Sequence, residues 1–358
     1  MAYTDIDKPE NYFNTVLYTG NGTDGRTITG VGFQPDWVWI KDRSVGRSHV
    51  VQDSVRGFND GNKVLRTNGT NSESGTDNDE FGYVGNTNSD GYTLEDGTTD
   101  GRYVNNNTEN YASWNWLAGG TASSNTNGSI TSTVSANTTS GFSIVTYTGT
   151  GSTGTFGHGL GASPSMVIIK DRTNGTKNWT CYHQAMGNDR SIFLNLTDAQ
   201  TASTDHWQYT TPSSSVVYIG DYSHINTNTN NYIAYCFAEK KGFSKFGSYT
   251  GNGSTDGTFV YTGFKPAFVM TKESATTGSW NIFDNRRENP FNVVKGNLKA
   301  ESSIAEESNT NLQMDFVSNA FKLRGTGGDL NGSGTAMIYM AFAENPFVTS
   351  TGIPTTAR

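Results

Sequence analysis

One short phrase recurs three times in this chain, and each copy carries the same ruler behind it. YTGNG stands at Tyr18–Gly22, YTGTG at Tyr147–Gly151, and YTGNG again at Tyr249–Gly253. A proline follows each tyrosine 17 residues later (Pro35, Pro164, Pro266), and a lysine six residues after that (Lys41, Lys170, Lys272). The surrounding stretches read GFQPDWVWIKDR, GASPSMVIIKDR and GFKPAFVMTKES. Eight or nine residues past the lysine comes His49, Trp179 or Trp280, and four further on come Asp53, His183 and Asp284. Each copy closes on an aromatic segment: NYASWNWLA, NYIAYCFAE or AMIYMAFAE. Spacing held across three copies is far more specific than a pentapeptide match, and it establishes an internal repeat. The period is about 100 residues, longer than the roughly 20–50 of a solenoid and typical of a domain.

The repeats divide the chain into an N-terminal arm (1–13), repeat 1 (14–118), a Gly/Ser/Thr/Asn linker (119–140), repeat 2 (141–239), repeat 3 (247–347) and a C-terminal tail (348–358). Within each, short β-branched and aromatic runs alternate with Gly/Asn/Ser/Asp turns, the pattern of a sandwich or barrel. The predicted fold class is all-β: three tandem antiparallel β-sandwich (jelly-roll-like) domains with little helix. In DWVWIKDR both alternating faces are apolar, which predicts a central strand. Pro35, Pro164 and Pro266 fall at strand entrances, where a missing N–H is tolerated. TGxG ends the first strand, and its glycines allow positive φ in the turn. No Walker lysine or helix follows it, so it is not a phosphate cradle. Ala300–Asn309 reads as a short helix and Thr197–Thr204 as a turn. The linker reads as flexible or as an extended strand. With only KKGFSKFG between them, repeats 2 and 3 are predicted to form the closer pair. The terminal arms are expected to order against a neighbouring subunit.

Composition narrows the partners. Only 16% of residues are charged while Gly contributes 42, so the polar surface comes from Asn, Thr, Ser and Gly. Aromatic residues at 12% supply a core and argue against disorder. A net charge of −8 without a Lys/Arg cluster disfavours nucleic acid and anionic membrane as main partners. No apolar stretch approaches the ~20 residues of a membrane span. MAYTDIDKPENYF has neither a charged n-region nor an apolar h-region, so no secretory signal is read. Extracellular composition without an export signal fits a virion protein, made in a host cytoplasm and released by lysis. Cys181 and Cys236 are then expected as buried free thiols.

No constellation for catalysis, cofactor or metal emerges. Four of the five histidines (His158, His183, His206, His224; the fifth is His49) lie in repeat 2, with no metal-type spacing between them. The position that reads Asp53, His183 and Asp284 changes type between copies. That suits a strand-end hydrogen bond and not a catalytic group. The repeated lysines, with Arg43 and Arg172 two residues on, are expected to pair with acidic residues on adjacent strands or to show a surface charge. The acidic loops Gly75–Glu80 and Asp96–Gly101 do not match the EF-hand spacing. G-x-S-x-G and H-E-x-x-H are absent. Six tryptophans (Trp37, Trp39, Trp114, Trp116, Trp179, Trp280) fall on repeat-equivalent strands and read as core. Trp207, in TDHWQYTTP, has no counterpart and is the candidate exposed contact.

PENYFNTVLYTGNG, VGFQPDWVWIKDRS, WNWLAGGTASSNTNGSITSTVSANTTSGFSIVTYTGTG, YIAYCFAE and FGSYTGNGSTDG resemble an uncharacterised family widespread in marine tailed bacteriophages, and the resemblance runs through the terminal MAFAENPF. It implies a virion-associated structural protein of the tail or fibre apparatus and brings no functional residues with it. The expected function is non-enzymatic: a tail fibre or appendage component that displays β-domains for attachment to a host-surface glycan or protein by multivalency. The expected partners are other virion proteins and further copies of the chain, as in trimeric fibres. A capsid decoration protein held by its arms is the alternative. A polysaccharide depolymerase ranks low, because the copies share no acidic pair.

Overall fold

The computed structural model describes residues 3–75, 79–202, 204–287 and 292–355. The fold is all-β and antiparallel, with α-helix among the described residues limited to single turns at Thr204–Trp207 and Gly328–Asn331. Each repeat supplies four principal strands. The opening strands are Phe13–Thr19, Phe142–Thr148 and Ser244–Thr250. The proline strands are Trp37–Asp42, Met166–Asp171 and Phe264–Glu273. The third strands are Val50–Asp53, Thr180–His183 and Trp280–Asp284, and the closing strands are Asn110–Trp116, Asn231–Phe237 and Ala336–Pro346. In every copy the sheet runs opening, closing, proline, third. The last strand therefore lies between the first and second, which seals each repeat on itself. Pro35 and Pro164 precede their strands, whereas Pro266 falls inside one, at a register shift that accommodates the missing N–H.

Each principal sheet is buried on both faces. All six residues of Trp37–Asp42 are buried. Alternation sends Val38 and Ile40 outward to a cluster with Ile28, Tyr92 and Tyr111, beneath a smaller sheet formed by Arg26–Ile28, Gly91–Glu95 and Tyr83–Asn88. Repeats 2 and 3 have their own outer clusters, built around Val167 and Ile169 and around Val269 and Phe283. The inner faces meet in one shared cluster. Trp37, Trp39, Trp114 and Trp116 of repeat 1 pack there with Ile144, Ile168, Tyr235 and Phe237 of repeat 2 and with Phe268, Met270, Met340 and Phe342 of repeat 3. Ring contacts cross every junction: Trp37–Tyr235 at 4.4 Å, Phe13–Phe342 at 5.1 Å and Phe237–Phe246 at 5.9 Å. Each such side chain contributes on the order of 1.5–3 kcal/mol of burial. All three junctions share this centre, so repeats 2 and 3 have no privileged pairing.

Of three connecting segments, the linker takes the extended-strand reading and the other two differ from expectation. The linker contributes strands Ser123–Asn125 and Ser132–Asn137, and the second pairs with Phe142–Tyr147 along the edge of repeat 2. Its alternation explains this, since Val134 and Ile130 enter the outer cluster of repeat 2. The N-terminal arm binds its own chain: the Thr4 hydroxyl and the Asp5 N–H both donate to the Lys241 carbonyl, at 3.0 Å, and Ile6 enters the shared core. Asp7 accepts from the N–H and hydroxyl of Ser350, both at 2.6 Å, so the arm and tail are tied together. Ala300–Asn309 is not helical. Its backbone is drawn to neighbouring strands, with Glu307–Ser308 pairing as a strand and the Glu306 N–H donating to the Arg43 carbonyl.

The recurring phrase has a clear physical role. The hydroxyls of Tyr18, Tyr147 and Tyr249 donate to the carbonyls of Val104, Ile225 and Leu330. The next residues along are the buried Asn105, Asn226 and Asn331. Each of these asparagines accepts from a loop N–H (Asn21, Thr150, Asn252) and donates to a loop carbonyl (Thr23, Ser152, Ser254). Gly22, Gly151 and Gly253 take φ of 65°, 69° and 67°. A Cβ on Gly20, Gly149 or Gly251 would collide with a backbone carbonyl of the asparagine-bearing segment.

Candidate functional site

The polar residues repeated at the ends of the third strands all point to the junctions. Asp53 of repeat 1 accepts from Tyr235 Oη of repeat 2 at 2.8 Å. His183 of repeat 2 donates from Nε2 to the Tyr339 carbonyl of repeat 3 at 3.0 Å. Asp284 of repeat 3 accepts from Trp114 Nε1 of repeat 1 at 3.0 Å. One contact per junction closes the three repeats into a ring. The Asp-to-His change now has a cause. Tyr235 and Trp114 occupy equivalent closing-strand positions and offer a donor, whereas the third equivalent is Met340, which offers none, so the chain uses His to reach a backbone carbonyl instead. The residue three positions on is coupled to the choice. Arg56 and Arg287 pair with their aspartates at 2.5 and 2.6 Å in fully buried ion pairs, and the position after His183 is Met186, which packs on the core. The sequence-level role, a strand-end hydrogen bond, is what the structure contains.

A second contact runs the opposite way. His49 Nδ1 accepts from Trp39 Nε1 at 2.7 Å, which leaves the proton on Nε2 to donate to the carbonyls of Lys299 and Ser302 in repeat 3. Trp179 donates to the Arg66 carbonyl in repeat 1, and Trp280 to the Phe193 carbonyl in repeat 2. Burial pushes His49 down to about 3 and His183 to about 4. Lys41, Lys170 and Lys272 are buried as well, contrary to the expected exposed pairing. Each donates to the carbonyl of the following residue, at 2.7, 2.7 and 2.6 Å. Lys41 and Lys272 also reach across to the carbonyls of Ser303 and Thr197. Burial lowers all three ammonium groups to about 8. Arg43 pairs with Glu306 of repeat 3, and Arg172 with Glu73 of repeat 1.

Trp207, the candidate exposed contact, is fully buried. The one-turn helix Thr204–Trp207 folds it beneath the sheet, where Nε1 donates to the Arg190 carbonyl at 2.9 Å and the ring meets Tyr182 edge-on. The other six tryptophans are buried as expected. Cys181 and Cys236 are free buried thiols, raised well above their ordinary pKa by burial. Part of the acidic loop Gly75–Glu80 lies outside the described residues. In Asp96–Gly101, Asp100 pairs with Arg102.

Three of the exposed aromatics gather elsewhere. Tyr3 and Tyr261 are the most open, at 63% and 60%, and they line a cleft of about 200 Å³ with Phe347 and Val348. Phe259 and Tyr261 project from a short strand in which only Val260 turns inward. The turn after it is set by Gly263 at φ 83°, and the Thr262 and Gly263 N–H groups both donate to the Asn319 carbonyl. The opposite wall is the segment Lys241–Lys245. Its Gly242, at φ 77°, has no room for a Cβ because Thr4 packs against it. Lys241 lies 5.7 Å over the Tyr3 ring, and Lys245 pairs with Glu239 at 2.8 Å. Arm, tail and the junction between repeats 2 and 3 therefore build the cleft together. No sequence signal marked it, because its aromatics come from three distant segments.

A family model described as a domain of unknown function (DUF7483) matches residues 8–346. The chain belongs to this family. The matched span takes in all three repeats, from just before the first opening strand to the end of the last closing strand. No curated protein matches the chain.

The DUF7483 chain thus devotes the repeated polar residues of its third strands to internal joints. What it presents outward at the cleft is two tyrosine faces, a lysine and a carboxylate–lysine pair. Apolar faces ringed by a few polar groups suit the contact of an uncharged, hydroxyl-rich ligand.

Proposed function

We propose that this protein is a non-enzymatic structural component of a tailed-phage virion, in a tail fibre or tail appendage, and that the Tyr3/Tyr261/Phe347 cleft contacts a host-surface glycan. The observation that carries the reading is the division of labour just described. The polar position repeated at the end of each third strand is consumed in joints between repeats, while three of the five exposed aromatics among the described residues, Tyr3, Tyr261 and Phe347, converge on one cleft. Sugar rings present C–H faces that stack on tyrosines, and Glu239 and Lys245 supply hydrogen-bonding groups at the rim. Resemblance to marine-phage virion proteins supports the setting. The decoration alternative drew on free terminal arms, and the arm and tail here bind their own chain.

The test is immunogold labelling of intact phage particles with antibody to this chain, followed by cell-adsorption assays in which the protein competes. Gold at the tail and competition that Tyr261→Ala weakens would support the reading. Gold spread over the head would refute it in favour of decoration.

A further inference from the structure

The three opening strands occupy equivalent sheet edges, yet among the described residues only two of those edges are closed. Thr15, Ile144 and Phe246 are equivalent by the repeat spacing. At repeat 2, Ser132–Asn137 pairs antiparallel along the edge, with Ser135 opposite Ile144. At repeat 3, side chains cap the edge: the Phe246 N–H donates to Glu239 at 3.3 Å, and its carbonyl accepts from Gln184 Nε2 at 2.6 Å. At repeat 1 both devices fail. Asn285 stands where repeat 2 has Gln184 and is one methylene shorter, and Glu344, the counterpart of Glu239, pairs with Lys265 at 2.7 Å but, among the described residues, accepts no bond from the Thr15 N–H.

The hydrogen-bond phase shows which groups are left over. The Leu117 N–H donates to Tyr12 and the Gly20 N–H to Glu109, so even-numbered residues of the opening strand face the closing strand. Phe13, Thr15 and Leu17 face away from it. Among the described residues, no backbone partner meets Thr15 or Leu17 on that side. Thr15 is 95% buried, yet its hydroxyl has no partner, and it lines a groove of about 210 Å³ between repeats 1 and 3 with Phe13, Ala267 and Ala343. An unpaired edge of this kind is a template for another strand.

We propose that the edge at Phe13–Leu17 accepts an antiparallel strand from a separate polypeptide. The strand in the equivalent groove of repeat 2 defines its chemistry: uncharged, with hydroxyl side chains on the inner face and small apolar ones on the outer. Ser135 there bonds the Gly119 N–H and the Gly120 carbonyl across the groove. A hydroxyl at that place in the guest would satisfy Thr15 Oγ1. This inference does not depend on the host-attachment reading, because the cleft lies at a different junction.

The test uses the full chain and a fluorescent peptide of sequence ITSTVSAN, the chain's own residues 130–137. Saturable binding with slowed hydrogen exchange in the segment 13–17 is expected. Thr15→Pro removes an outward N–H, which an edge strand tolerates, together with the unpartnered hydroxyl, and should weaken binding at least tenfold without shifting the thermal midpoint. Asn285→Gln restores the cap seen at repeat 3 and should weaken it similarly. Should Thr15→Pro not fold, Asn285→Gln decides alone. Absence of binding at about 1 mM peptide, or affinity unchanged in the folded variants, would overturn the proposal.

Discussion

Tyr235→Phe removes one oxygen atom from the joint between repeats 1 and 2 and little else. The hydroxyl donates to Asp53 Oδ2 at 2.8 Å and accepts from Arg56 Nη2 at 3.3 Å, within a site closed to solvent. The ring remains stacked on Trp37 at 4.4 Å, so no cavity of consequence opens. Asp53 keeps Arg56 Nε at 2.5 Å and the N–H groups of Val55 and Arg56, at 3.1 and 2.9 Å. The carboxylate is therefore not orphaned, and the loss is that of one hydrogen bond to a charged group, about 2 kcal/mol. Tyr147→Phe is the matched control, since its hydroxyl donates to the neutral Ile225 carbonyl inside repeat 2 and should cost about 1 kcal/mol. Urea unfolding reads both: the midpoint falls while the slope m is unchanged. A loss under about 0.5 kcal/mol for Tyr235→Phe would refute a charged, desolvated joint, as would a slope that falls with the midpoint.

Further outcomes follow from the same geometry. His183→Asp should be destabilising by about 3 kcal/mol, because Met340 offers no donor and Met186 no countercharge; adding Met186→Arg and Met340→Tyr should restore most of the loss by urea titration. Acid should weaken the fold from near pH 6.5 downward. His49 and His183 have folded pKa values lowered from 6.5 to about 3 and about 4, so the unfolded chain binds the extra protons in that window, at roughly 1.4 kcal/mol per pH unit for each histidine. A urea midpoint flat between pH 6.5 and 4.5 would contradict this. Asn226→Asp keeps the shape but faces the Ser152 and Gly220 carbonyls with an acceptor in place of a donor, and should cost at least about 2 kcal/mol in thermal or urea unfolding. Tyr261→Ala should leave the melting temperature within error, since the ring is exposed, while reducing competition for cell adsorption.

The repeat unit was legible because its determinants are local. Tyr18, Gly20, Gly22 and Asn105 act inside one copy, so their spacing survives in each. The alternation of Trp37 and Trp39 with Val38 and Ile40 showed a two-faced strand, but not that the inner face is shared with two other copies. Joint residues carry that information in a form one sequence hides. Lys41 looks like any strand-end lysine until the Ser303 carbonyl, 262 positions away, is seen to receive it. Trp207 misled for a related reason. Its polar neighbours in TDHWQYTTP read as a loop tip, while the single helical turn aims the indole beneath the sheet. The linker's Ser/Thr content left two readings open, flexible or extended, and its alternation decides for the strand that completes the sheet of repeat 2.

Differential scanning calorimetry of the intact chain tests the central claim most directly. Three repeats sharing one core and closed by polar joints at each junction should unfold together. The account predicts a single transition with a calorimetric enthalpy of roughly 250 kcal/mol for 358 residues near 60 °C, equal to the van't Hoff value. Separate transitions of roughly 70 kcal/mol each, or a van't Hoff enthalpy near one third of the calorimetric one, would mean that the repeats unfold independently and that the ring is not a cooperative unit.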